Sequence, residues 1–314
     1  MSKPAPQATI LFLAYNQQDF VAQASQACLE QQGGPFEIIF SDDASSDNTY
    51  AILQHAVAHY QGPHTVVVRQ NSRNLGVADH YNTLIKLAQC ELLITAAGDD
   101  ISYPERAQTL LAAWYDSSRK LDLLASYAQS ITHDGQNTGQ TIQVDQLSDW
   151  RSAAQWCAKR PYVVGATHAF TKRIWTEFGD IDSDITYEDQ IMTLRALCLG
   201  GAATIPTALV SYRQGGLSAK VRSTNSDQKR LALYKRYSRQ RSVFSQIHKD
   251  LKKAGLDHLW SGKVKQYLDR AQAALHLLQC QSSKVWPSMG QVWLMIRQCG
   301  IFWTLRQYIY TFRR

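Results

Sequence analysis

The feature that most constrains this chain is a set of four short apolar runs, each stopped by polar, turn-forming residues. They are ATILFLA at 8–14, FEIIF at 36–40, TVVVR at 65–69 and LLITA at 92–96. Runs of this length, rich in β-branched and aromatic residues, suit buried strands, because a buried helix needs about ten residues or more. Between them, residues 19–32, 49–60 and 76–89 carry apolar side chains at helical spacing, as with Phe20, Ala24, Ala27 and Cys28. Ser46 or Asp47 is placed to cap the second of these helices. Alternation at these intervals predicts an α/β fold with an open, mostly parallel sheet flanked by helices. In such a sheet, ligands bind beyond the carboxyl ends of the strands. Two acidic pairs fall there, Asp42/Asp43 after the second strand and Asp99/Asp100 after the fourth.

Several function classes drop out. No G-x-G-x-x-G follows the first strand and no G-x-x-x-x-G-K-[ST] occurs anywhere, so the glycine-rich phosphate cradles are absent. The phosphates of a bound nucleotide then need another partner, and a metal on carboxylates is the candidate. Six cysteines form no C-x-x-C and no His pair has zinc spacing. Cys28, Cys90 and Cys198 sit among apolar neighbours and read as small buried residues in a reducing compartment. A mean hydropathy of −0.31 excludes a polytopic membrane protein. The opening MSKPAPQ has no apolar stretch behind a basic end, so it does not read as a signal peptide and a cytoplasmic location is expected.

Past residue 100 the pattern loosens. Residues 105–125 read as helix then strand, 130–150 as a polar loop with a short hairpin, and 151–160 and 172–178 as short helices. ITYEDQIMTLRALCLG reads as a helix with Glu188 and Asp189 in its first turn, where carboxylates complement the helix dipole. AATIPTALVSYR is a strand that runs into QGGLSAK, and from Asp227 to about Gln281 the chain is helical and basic. Residues 1–218 hold 14 Lys/Arg against 22 Asp/Glu, whereas 219–314 hold 19 against 4. That split predicts two parts, 1–218 for chemistry and 219–314 for an anionic surface. The last stretch, KVWPSMGQVWLMIRQCGIFWTLRQYIYTFRR, interleaves aromatics with arginines, and no uncharged stretch in it spans a bilayer. It reads as an amphipathic helix pair through 285–314, with three readings open: packing on the catalytic domain, attachment to the inner face of the cytoplasmic membrane, or a protein partner.

Five segments, taken together, resemble the family 2 glycosyltransferases. FEIIFSDDASSDNT resembles their E-I-I-V-V-D-D-G-S-T-D-N-T segment, and ILFLAYNQQDF their opening strand ending P-x-Y-N. ITAAGDDISYPER resembles the D-x-D region with its trailing proline, YEDQIMTLRALCLGG the E-D segment, and SYRQGGLS the Y-R-x-x-x-x-S strand and loop. The ordered set covers roughly residues 8–218.

The resemblance implies a GT-A (Rossmann-like) fold with a helical C-terminal extension, and inverting transfer of a sugar from a nucleoside-diphosphate sugar. It implies Asp189 as general base with Glu188 beside it, and a divalent cation, Mn²⁺ or Mg²⁺, on Asp99 with Asp100 following. Donor contacts carried over are Ala14, Tyr15, Asn16, Asp42, Asp43, Gly98, Arg213 and Ser218, with Asp42 and Asp43 at the nucleoside end. Arg73 is a candidate phosphate ligand, and His80 and Asn82 a reach to the donor from the third helix. His168 reads as a satisfied, semi-buried residue. The acceptor implied is a hydroxyl on a glycan or lipid-linked glycan, as in polysaccharide assembly.

This chain also departs from the pattern. Ala97-Gly98-Asp99 lacks the first D-x-D carboxylate, Ala44 replaces a glycine, Ala14 replaces a proline, and the Q-x-x-R-W of processive members is absent, which implies single additions. Bland alternatives are a turn and helix cap for Asp42/Asp43 and a helix-entry loop for Asp99/Asp100. Adjacent like charges at a strand end favour a bound cation instead. A catalytically silent nucleotide-sugar-binding module and a nucleotidyltransferase are the rival functions. The acidic first part and the lack of a recognised motif argue against nucleic-acid binding.

Overall fold

The computed structural model describes residues 5–215, 226–283 and 285–312, so Ser218 lies outside the described residues. The chain divides into two compact units, Met1–Ala219 and Lys220–Arg314.

The first unit begins as repeated βα units. β1 (Thr9–Ala14), β2 (Glu37–Asp42), β3 (Thr65–Gln70) and β4 (Leu92–Ala97) alternate with α1 (Val21–Leu29), α2 (Thr49–Ala58) and α3 (Gly76–Leu87). β1, β2 and β4 are buried almost end to end, as parallel strands covered on both faces must be. Phe12 and Phe40 meet edge-to-face at 4.9 Å within the core they share with Ile10, Ile38 and Ile94. β5 (Ile101–Ser102), α4 (Arg106–Asp116), β6 (Leu123–Ile131), β7 (Asn137–Ile142), α5 (Ala153–Ala158), β8 (Ala169–Thr171), α6 (Arg173–Phe178), α7 (Glu188–Cys198) and β9 (Ala202–Arg213) complete it.

Among the described residues, the strands form one sheet in the order β3-β2-β1-β4-β8-β6-β9-β5, with β7 hairpinned on β6. The long ladders are parallel, and antiparallel pairing is confined to contacts of β5, β7 and β8. This is the α/β sheet expected. β8 was not foreseen, because three residues are too few to show a period.

Parallel register fixes where chemistry can sit. Ala14 pairs with Asp42 and Leu13 with Ala97, so β1, β2 and β4 stop level with one another. The loop after β2 turns sharply at Ala44, whose φ is +59°. An L side chain in that conformation costs about 1 kcal/mol relative to glycine, which accounts for the family's glycine here.

In the second unit the helical stretch after residue 226 is two helices, α8 (Ser226–Lys253) and α9 (Gly262–Ser282). Gly255, at φ +72°, ends α8 with the Gly255 and Leu256 N–H groups returning to the Lys252 and Leu251 carbonyls. The aromatic tail forms α10 (Met289–Cys299), opened by a reciprocal Ser288–Gln291 cap, and α11 (Ile301–Phe312). Ala273 and Leu277 of α9 pack with Met295 and Cys299 of α10, and Trp303 and Tyr308 of α11 close over them.

Replacing Ala44 by Gly should raise the unfolding free energy by about 1 kcal/mol by relieving its left-handed backbone, measured by chemical denaturation.

Candidate active site

Two backbone hydrogen bonds gather the loops at the strand ends. The Asp43 N–H donates to the Ala14 carbonyl at 2.9 Å, and the Gly98 N–H to the Leu13 carbonyl at 2.9 Å. A side chain on Gly98 would meet Gln17 Oε1 at 2.5 Å and Ala14 Cβ at 3.0 Å, so the β1 and β4 ends touch through it. Half-buried Tyr15 and exposed Asn16 lie just beyond. Asn16 is laced to the β2 loop, its N–H on Ser45 Oγ at 2.8 Å and its Oδ1 accepting from the Ser46 N–H at 2.9 Å.

Asp42 and Asp43 lie beneath this loop. Asp42 accepts from the Ser45 N–H at 2.9 Å, the Ser45 hydroxyl and Gln70 Nε2. Asp43 accepts from Asn71 Nδ2 at 2.6 Å and from the Leu75 and Gly76 N–H groups, both at 2.9 Å. Both are under 4% exposed. These bonds fix the loop after β2 and tie it to the segment that leads into α3. The expected turn and cap are both present, but Asp43 caps α3, not the helix next in sequence.

Asp99 is half-buried and Asp100 buried. Burial pushes Asp99 above the usual carboxylate range, and burial plus the neighbouring Asp99 carries Asp100 to about 8. Gln17, which the sequence did not single out, donates to Asp99 and accepts from the Tyr15 N–H at 3.2 Å.

Arg213 fastens this loop. Its N–H donates to Asp100 Oδ1 at 2.9 Å, its Nε to the Asp99 carbonyl at 2.8 Å and one Nη to the His133 carbonyl at 2.7 Å. The guanidinium lies 4.6 Å over the Phe20 ring. Those bonds make Arg213 a latch between the end of β9, the Asp99/Asp100 loop and the β6–β7 turn. Arg73 stands exposed after β3.

Asn82 is also taken up internally. Its Oδ1 accepts from Trp175 Nε1 at 2.8 Å and the Ile181 N–H at 3.0 Å, and its Nδ2 donates to the Ile181 carbonyl at 2.7 Å. It holds α3 to α6 and is not joined to the loops above. His80 is buried on Ser41 Oγ at 2.7 Å, and burial lowers it to about 4, so its ring is neutral.

Glu188 and Asp189 open α7, both half-buried. Burial raises Asp189 to about 6, and burial with Asp189 beside it raises Glu188 to about 8. Gly165 lies against them: a Cβ there would be 3.1 Å from Glu188 Oε1 and 3.4 Å from Asp189 Cβ. Buried Tyr81 feels Glu188 and Asp189, and fully buried Arg106 feels both Tyr81 and Asp100. The two acidic pairs, about ninety residues apart, are thus electrostatic neighbours of one Arg106–Tyr81 core. His168 is fully buried with both ring nitrogens unpartnered, not satisfied as expected, and burial lowers it to about 3.

The chain matches the family model described as Glycosyl transferase family 2 over residues 9–162. It is 29% identical over 107 residues to EpsE of Bacillus subtilis (strain 168), covering 34% of this chain and 38% of that protein. The chain spans 38% to 58% of the length of the first curated relatives it matches. Staphylococcus aureus TarS 1–349 in complex with UDP superposes with a TM-score of 0.61 at 13% identity, over 98% of this chain and 89% of that one. The Pyrobaculum calidifontis mannosyltransferase PcManGT in complex with GDP-Man and Mn²⁺ does so at 0.53 and 16%, over 98% and 85%. The likeness to both is one of fold, GT-A.

Two outcomes test this geometry. Asn82→Ala should cost about 2–3 kcal/mol by leaving buried donors unpaired, while donor affinity measured by calorimetry stays unchanged. A raised carboxyl stabilises the fold when protonated and loses that contribution as pH climbs through its folded value. Glu188→Gln should therefore be more stable than the parent by about 1–2 kcal/mol at pH ~9, with no advantage near pH ~4, in thermal melts across pH.

Proposed function

We propose that the first unit transfers a sugar from a nucleoside-diphosphate sugar to a hydroxyl of a glycan or lipid-linked acceptor, with inversion and one addition per encounter. The observation that carries this reading is Asp189 in the first turn of α7, a carboxyl raised to about 6 by burial, whose charge acts on buried Tyr81 as that of Asp100 acts on the neighbouring Arg106. A base poised near neutral pH accepts a hydroxyl proton efficiently and still ionises.

The acceptor oxygen bonds to the anomeric carbon from the face opposite the diphosphate, and its proton passes to Asp189. The bond from that carbon to the phosphate oxygen breaks, and the electron pair leaves with the nucleoside diphosphate. Glu188, which stays protonated at higher pH than Asp189, keeps a second negative charge away from the base. Ala14, Tyr15 and Asn16 offer the nucleoside its surface, with Asp42 and Asp43 holding that loop from beneath.

Asp99 and Asp100 fit a divalent cation. They are adjacent, both are raised by burial, and the hydrogen bonds of the Arg213 guanidinium go to the Asp99 and His133 carbonyls, not to either carboxylate. Among the described residues no three His, Cys, Asp or Glu side chains form a cage, which suits a hard cation that completes its shell with diphosphate oxygens and water. Bound there, Mn²⁺ or Mg²⁺ would stabilise charge on the departing diphosphate.

The reading is tested by nucleotide release from UDP-, GDP- and dTDP-sugars, with glycan acceptors, in Mn²⁺, Mg²⁺ or EDTA. One donor should turn over in a metal-dependent way, and Asp189→Asn should lower kcat by about 10²–10⁴-fold with donor affinity retained. Turnover indifferent to EDTA would return Asp99 to a structural role, and full activity in Asp189→Asn would remove it as base. Binding without release under every condition would identify a silent nucleotide-sugar module.

A further inference from the structure

In the second unit, α11 packs Trp303 and Tyr308 against α9 and α10 and leaves a second apolar stripe in water. In α11 the residues at i, i+1, i+4 and i+8 are Ile301, Phe302, Leu305 and Ile309, a single stripe on the helix surface, and all four are exposed. Phe302 is 88% exposed. The most buried described side chains of the same helix are Thr304 and Thr311. In α10, Met295 and Cys299 point into the unit, while Met289, Trp293 and Leu294 stay out, Trp293 being 67% exposed. Leaving these four side chains in water forgoes hydrophobic stabilisation that a covering surface would supply. Exposed apolar surface of this extent marks a docking site.

Charge decides the occupant. Residues 219–314 carry a surplus of 15 positive charges, and from Arg270 to the end there is no Asp or Glu. Arg297 and Arg306 are exposed on the same two helices, each within four residues of a member of the apolar set. A second copy would bring two such positively charged faces together, which is repulsive. An anionic bilayer surface satisfies both features at once: its headgroups attract the arginines, and its outer acyl region receives Trp, Phe, Ile and Leu. The described helices contain none long and apolar enough to cross a membrane, so the contact is in-plane.

We propose that the outward face of α10 and α11 docks on an anionic membrane surface. Trp293, Phe302, Leu305 and Ile309 enter the interface, and Arg297 and Arg306 engage the headgroups. The proposal does not depend on the transfer chemistry, since vesicle binding is read without donor or acceptor.

The test is flotation of the full chain with phosphatidylcholine vesicles, with and without about 30% phosphatidylglycerol, at ionic strengths of about 0.1 and about 1 M. Binding should be about tenfold or more tighter to the anionic vesicles, weaken in high salt, and fall at least about tenfold in Phe302→Glu and in Trp293→Glu. Both positions are exposed, so circular dichroism and melting temperature should match the parent. Val67→Glu, at an exposed apolar position in the first unit, should bind as the parent does. Equal binding to neutral and anionic vesicles, no binding, or unchanged binding by both variants would each overturn the proposal. So would a dimer lost in Phe302→Glu together with no vesicle binding, which would make a second copy the occupant.

Discussion

The backbone hydrogen bonds from Asp43 and Gly98 to the end of β1 are the constraint on which the candidate site depends. Parallel pairing brings the ends of β1, β2 and β4 level, but level strands alone leave three separate loops. These two bonds draw the flanking loops onto Leu13 and Ala14, and Gly98 allows that approach because any side chain there would strike Gln17 and Ala14. The missing first D-x-D carboxylate belongs to Ala97, and Gly98, between it and Asp99, has no room for a side chain.

Burial around the site is electrically costly. Asp100, Glu188 and Asp189 are held above their ordinary ionisation range, and Arg106 is lowered to about 10, chiefly because each has lost water. Structural ion pairs would have been arranged to offset that loss directly. Instead Arg106 donates to the Ser102 hydroxyl and the Ala166 carbonyl, and Arg213 to carbonyls, leaving the carboxyls without a bonded cation on their side chains. Titratable groups perturbed together in this way are characteristic of sites that bind charge or move protons.

The second unit solves a different problem. Its interior is built from α8, α9 and the inward faces of α10 and α11, with Phe244 stacked on Tyr267 at 5.0 Å and His248 on Trp260 at 4.4 Å. The interior uses small or slender residues, Ala273, Leu277, Met295 and Cys299, where the tail meets α9. Trp303 and Tyr308 close over that interior, whereas Trp293 and Phe302 are surplus to it and stay exposed.

The sequence by itself determined the α/β class, the order of βα units, and the two acidic pairs at their strand ends. These follow from local rules, since a short apolar run followed by a turn can be read without knowing its neighbours. It also determined the charge division at about residue 218 and the helical, aromatic tail. What the tertiary structure decided is which polar groups remain free. Asp42, Asp43, Asn82 and Arg213 carry the residue types that binding needs, and apart from Ser45, three residues from Asp42, the partners named for them lie 28 to 190 residues away, where no local pattern announces them. Gln17 and Gly165 were missed for the same reason, because a glutamine in a turn or a glycine in a loop has no signature until another segment arrives beside it. The outward apolar stripe of α11 belongs here too. Periodicity gives the two faces of a helix, and only packing tells which one the protein keeps.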